Sequence, residues 1–219
     1  MHKLALILLS FSIFLTACED PSANKAKAKT SDPSTSNAAN TATVANTTAN
    51  AATALPITPD NSKIEWTASK VTGSHDGGFT KFNGTINLAG AKPETSSVKV
   101  DIETESVYAN VDQLTQHLKT PDFFDVKKFP TATFASTKIE ADPSGGADNY
   151  SITGDFDLHG VKKSITFPAT ITIGADEVAV KSEFSINRKD FGLMYAGKAD
   201  DLIRDGVVIK LDLKAPRKK

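Results

Sequence analysis

"YSITGDFDLHGVKKSITFPATITI", residues Tyr150 to Ile173, decides how the chain folds. Apolar side chains recur at two-residue spacing: Tyr150, Ile152, Phe156 and Leu158, then Ile165, Phe167, Ala169, Ile171 and Ile173. Such alternation marks a strand with one buried face. His159-Gly160 separates the two rows, and a glycine there supplies the positive φ of a tight hairpin turn.

The same period runs through the domain. Ile64, Trp66 and Ala68 share a face, as do Phe82, Ile86 and Leu88, and Val98, Val100 and Ile102. Phe134 lies in a further row. Val178, Val180, Phe184 and Ile186 form the next, and Val207, Ile209, Leu211 and Leu213 the last. That predicts eight strands, with turns at Asp76-Gly77-Gly78, Ala89-Gly90, Asp142 to Asp148 and Gly174-Ala175. One helix is expected near Val111 to Lys119, with Asn110 as its cap, Leu114 and Leu118 on one face and Pro121 beyond its end. Eight alternating strands suggest a closed antiparallel barrel or a sandwich. Closure removes exposed sheet edges. An eight-stranded barrel is just wide enough to hold one small ligand or to fill itself with side chains.

Upstream of the domain, Met1-His2-Lys3 leads into the apolar run Leu4 to Leu15, the proportions of a secretory signal. The run falls short of the roughly 20 residues of a spanning helix. Its end, Leu15-Thr16-Ala17-Cys18, resembles a bacterial lipobox, which implies cleavage after residue 17 and lipid on Cys18. Buried acyl carbons contribute about 0.8 kcal/mol per CH₂, and a second chain makes an anchor lasting. Cys18 is the single cysteine. Once acylated it leaves no thiol for a disulfide, a zinc site or a nucleophile. An ordinary secreted chain with one odd cysteine is the competing reading. Residues 18–55 are rich in Ala, Thr and Asn, with no large apolar residue between Pro21 and Val44. They read as a flexible spacer. Residues 56–219 read as one domain, large enough for a full core.

Charge and motifs narrow the function. Without Lys3 the chain carries 24 basic and 26 acidic residues, a net charge of −2, so no basic surplus points to nucleic acid. The histidines of the mature chain, His75, His117 and His159, have no metal-ligand spacing. No nucleophile elbow, phosphate loop or dinucleotide fingerprint is present. The sequence therefore predicts no enzyme, no cofactor and no metal.

Three stretches carry a family resemblance: "QHLKTPDFFDVKKFPTATFAST" (Gln116–Thr137), "YSITGDFDLHGVKKSITFPATI" (Tyr150–Ile171) and "FSINRKDFGLMYAGKADDLIRDGVVIKLDL" (Phe184–Leu213). They resemble the YceI-like, polyisoprenoid-binding family, with its H-L-x-S-x-D-F-F, P-x-A-x-F-x-S and G-x-L-x-L-x-G-V-T-K signatures in that order. The similarity spans about residues 57 to 214. Thr120, Phe156 and Lys162 depart from those signatures. The resemblance implies a lipocalin-like eight-stranded barrel in the periplasm or secreted space, holding a polyprenyl chain or isoprenoid quinone.

A prenyl tail wants a dry tube with a few polar groups at one end. The inward set expected to line it is Trp66, Phe82, Ile86, Val100, Ile102, Phe134, Ile152, Phe156, Phe167, Ile171, Phe184, Ile186, Ile209 and Leu211. Plain core packing would use the same face. His159, Lys162, Asn187 and Arg188 are the candidates for the polar end. Phe123, Phe124 and Phe129, after the helix, are placed to cover or plug the lumen. Three functions follow in order: a membrane-tethered carrier of isoprenoid lipid, an envelope protein-interaction module with a filled barrel, and an enzyme acting on such lipids. The expected partners are the lipid ligand and the membrane, with a homodimer left open. Cys18 implies a bacterial envelope location facing the periplasm, and Glu19 after it, in place of an inner-membrane-retaining Asp, favours the outer membrane.

Overall fold

A computed structural model describes residues 19–33 and 52–217. The signal segment, Cys18 and the rest of the expected spacer lie outside the described residues. Among the described residues there are thirteen strands: β1 (Lys29–Ser31), β2 (Thr53–Ile57), β3 (Lys63–Lys70), β4 (Gly73–Phe79), β5 (Phe82–Leu88), β6 (Ser97–Glu103), β7 (Val107–Ala109), β8 (Thr131–Ala141), β9 (Asn149–Leu158), β10 (Val161–Ile173), β11 (Glu177–Asn187), β12 (Gly197–Lys198) and β13 (Asp201–Pro216). Helix α1 spans Asp112–Leu118. The ladders are antiparallel, in the order β2-β5-β6-β8-β9-β10-β11-β13-β3-β4-β7.

The eight expected rows are strands β3, β5, β6, β8, β9, β10, β11 and β13. Five further strands correct the count. Three of those five are only two or three residues long, too short for a period to show. β4 was hidden for another reason. "GSHDGGF" has no alternating apolar residues, and Asp76-Gly77-Gly78 reads as a turn. Instead the chain turns at Val71-Thr72, and Gly73 pairs with Lys70. Gly77 faces Trp66 across the ladder. A Cβ there would lie 2.2 Å from the Trp66 ring and from the Tyr108 carbonyl. Gly77 makes room for the indole.

The ordered path ends at β2 and β7, so the sheet is a curled half-barrel and not a fully hydrogen-bonded ring. β2 covers the free edge of β5, and β7 that of β4, which shields both from stray pairing. The apolar faces turn inward onto a main core, with a smaller cluster of Trp66, Val107, Leu118 and Phe123 at the helix end. The aromatic spine of the main core includes Phe167 stacked on Phe184 at 4.2 Å, with Phe134 tilted against Phe167 at 5.6 Å. At the His159-Gly160 turn both residues have positive φ (55° and 74°), as a two-residue type I′ hairpin requires.

α1 begins one residue later than the expected span and ends one residue earlier. Asn110 does not cap it, because its side-chain oxygen bonds His75 Nδ1 at 3.0 Å. Val111 occupies the cap position without a side-chain bond.

Residues 19–33 depart from the expected spacer. They lie docked on the barrel as a strap. The β10–β11 ladder stops after Thr170↔Lys181. Pro168, next on that side, has no N–H to continue it. Beyond that point the strap enters the seam. β1 pairs with Ser164 to Thr166 of β10, while Ala28 N–H donates to Ser185 O and Ser185 N–H to Ala26 O, each at 2.8 Å. Ala28 packs on the core. Lys25–Glu183 (2.9 Å) and Lys163–Asp32 (2.7 Å) flank the insert. Composition hid this because backbone pairing and small side chains suffice to fill a seam.

Phe191 is fully buried and packs edge-on against Phe156, 5.1 Å between centroids. Phe191→Ala is expected to destabilise the domain by about 3–5 kcal/mol, read as a lower urea midpoint with an unchanged slope.

Candidate functional site

The inward faces do not fill the barrel. Two voids lie along its axis. The first, about 100 Å³, is lined by residues including Ile64, Val98, Val100, Phe134, Ile165, Phe167, Val180, Phe184, Leu211 and Leu213. The second, about 110 Å³, lies toward α1 and includes Trp66, Leu118, Phe123, Phe124, Leu193, Ile203 and Val207 in its wall. Phe79, Ile102, Phe156, Ile186 and Ile209 border both and form a waist between them. A third void, about 20 Å³, continues the line at the far end past Val98, Ile152 and Val180. Each larger void is on the scale of an apolar cavity that stays dry and takes a benzene-sized guest.

The strands impose this geometry. A period of two sends alternate side chains into the lumen, and branched or aromatic residues there cannot close every gap. The lid comes from α1, the loop after it and the loop after Phe191. His117 stands edge-on to Phe123 (5.0 Å) and Tyr195 (5.2 Å), and its Nε2 bonds the Asp122 carboxylate at 2.8 Å. Phe124 packs edge-on against Phe79.

Ten of the expected lumen residues line the first void: Val100, Ile102, Phe134, Ile152, Phe156, Phe167, Phe184, Ile186, Ile209 and Leu211. Trp66 lines the second and Ile86 and Ile171 the third. Phe82 lines none of them and is a packed core residue. Sequence reasoning missed Phe79, Leu193 and Ile203. They follow glycine-rich or irregular stretches where no period could reveal them.

The expected polar end is not assembled at the lumen. His159 sits in its hairpin turn with its ring 4.5 Å from Phe129. Lys162 points outward and pairs with Asp155 at 3.3 Å. Asn187 caps the turn that follows β11, accepting from Lys189 N–H. Phe129 covers Gly160 and not the lumen. Arg188 does border the second void, but its guanidinium is buried and engaged. It donates to the carbonyls of Leu193, Ile203 and Arg204 and lies 3.5 Å from Asp205. Burial lowers its pKa, and the Asp205 charge opposes that shift. Arg188 stays cationic regardless and ties the lid loop to β13. The walls of both large voids otherwise present apolar side chains.

A family profile described as "YceI-like domain" matches residues 56–215. The chain belongs to the YceI-like family. A UPF0312 protein of Pseudomonas putida strain W619 is 35% identical over 141 residues, 61% of this chain and 72% of that protein. Among solved structures, BcnA of Burkholderia cenocepacia is similar with a TM-score of 0.64 at 24% identity, covering 73% of this chain and 99% of that one. A polyisoprenoid binding domain from Saccharophagus degradans is similar with a TM-score of 0.59 at 18% identity, covering 76% of this chain and 99% of that one. At these identities the two structures establish a common YceI-like fold.

Arg188→Met takes the guanidinium donor from three carbonyls, one buried and two half-buried, and is expected to cost at least about 2 kcal/mol. Arg188→Lys should not restore it, because an ammonium lacks the planar fork. Thermal melting of the three proteins checks the order.

Proposed function

We propose that this protein holds one isoprenoid lipid, a polyprenyl chain or isoprenoid quinone, threaded through its lumen. It does so as an envelope lipoprotein anchored through Cys18, for transport or storage. The observation that supports this is the line of apolar voids along one axis. A ligand matching that line is long, one chain wide and without polar groups along its length. Family membership and the polyisoprenoid-binding description of the Saccharophagus domain favour the same class. The proposed role is binding and not catalysis, since apolar walls offer no acid, base or nucleophile to a bound chain. On this reading the domain faces the periplasm, with the outer membrane as its site.

The voids are narrow, and that favours a second reading: a filled barrel acting as an envelope protein-interaction module. The two part on one measurement. Protein purified without detergent from a bacterial host is weighed by native mass spectrometry and then extracted with organic solvent. Carriage predicts an added mass that extracts as a prenyl lipid. A clean apo mass, with no uptake of offered prenyl lipid, would reject carriage for the module. Phe156→Trp thickens the waist and is expected to weaken uptake about tenfold, the effect of roughly 1.4 kcal/mol of overpacking.

A further inference from the structure

Among the described residues, five large apolar side chains are exposed: Val71, Tyr108, Val111, Met194 and Leu202. Val71, Met194 and Leu202 gather beside residues that wall the second void. Val71 forms the β3–β4 turn, and its N–H donates to Leu202 O at 3.1 Å. Leu202 adjoins Ile203, a wall residue of that void. Ile203 N–H donates to Ala196 O at 2.9 Å, which brings the lid loop carrying Met194 to the same rim. Met194 is 60% exposed, Val71 53% and Leu202 49%. Scattered exposed apolar residues need no account, but their gathering at one end, beside the lumen, does.

The strap brings a second observation to that same end. Its start is held there. Asp20 lies 3.7 Å from Arg204, two residues beyond Leu202. Ser22 is buried against Gly206, where a Cβ would come within 2.2 Å of its hydroxyl oxygen. Gly206 thus makes room for the strap. Cys18 precedes Asp20 by two residues, at most about 7 Å of extended chain. An acyl anchor at Cys18 would then reach the bilayer from the lumen's rim, and not from the end of a long leash.

We propose that the rim formed by Val71, Met194 and Leu202 is a docking face for a phospholipid bilayer, and that the strap clamps the anchor beside it. Ligand then passes between bilayer and second void without crossing water. This rests on the lipoprotein carrier reading above.

The test uses the full acylated chain on vesicles of phosphatidylethanolamine and phosphatidylglycerol with bromine-labelled acyl chains. Met194→Trp places a reporter at the rim, and Lys92→Trp places one in the exposed turn between β5 and β6 at the far end. The unsubstituted protein supplies the Trp66 background. Docking predicts that the Met194→Trp signal loses most of its emission while the Lys92→Trp signal keeps its own. Adding Gly206→Ala, which pushes Ser22 out of its seat, is expected to restore much of the Met194→Trp emission. Equal quenching at both positions, or none at Met194→Trp, overturns the docking face. Prenyl-lipid uptake is followed in the same samples, so loss of the carrier reading shows separately as no uptake, whichever way the quenching falls.

Discussion

Nearly every long strand in this protein has one apolar face, and a single sheet can bury such a face only by curling onto itself. That requirement sets the rest. It places alternate side chains in a common lumen and leaves the end toward α1 to be covered by a lid. It also leaves two strand edges and one seam to be covered. β2, β7 and the strap answer those needs: β2 adds Leu55 and Ile57 and β7 adds Val107 to the buried core, while the strap has no large apolar residue. The long strands supply most of the apolar burial, while the strap supplies mainly backbone pairing. At about 25 cal/mol per Å² of buried apolar surface, the first dominates stability. The second decides which edges are left open to other strands.

The parts of the fold legible in sequence are those where side-chain period carries the information. Ile165 to Ile173 could hardly be anything but a strand with a wet and a dry face, and the residues expected inside are mostly found beside the voids. The signal fails where backbone or shape decides. β4 is invisible because Gly77 makes space for the Trp66 ring. The strap is invisible because alanines and lysines in a low-complexity run look alike whether they are solvated or paired. The candidate polar site failed for a different reason. Asn187 and Arg188 are in the right neighbourhood, but each already serves the backbone. Asn187 caps a turn and Arg188 binds three carbonyls. A sequence shows that a charge is present and not whether its hydrogen bonds are already taken.

The seam also bears on how the domain holds together. Ser185 and Thr166 would face each other if the β10–β11 ladder continued, and each is bonded to the strap instead. Strap and barrel are therefore parts of one hydrogen-bonded sheet, although a stretch rich in Ala, Thr and Asn joins them in sequence. The family match begins at residue 56, so this added strand lies outside the part of the chain shared with the family profile.

Trp66 is the only tryptophan in the chain. It is buried in the wall of the second void, and its Nε1–H has no hydrogen-bond partner among the described residues. An indole walled by apolar side chains emits at the blue end of its range, and a polar or water-filled neighbour would shift it red. The protein thus carries a built-in optical gauge of its own interior. The colour of its intrinsic light reports whether that chamber is dry, wet or occupied, without a label of any kind.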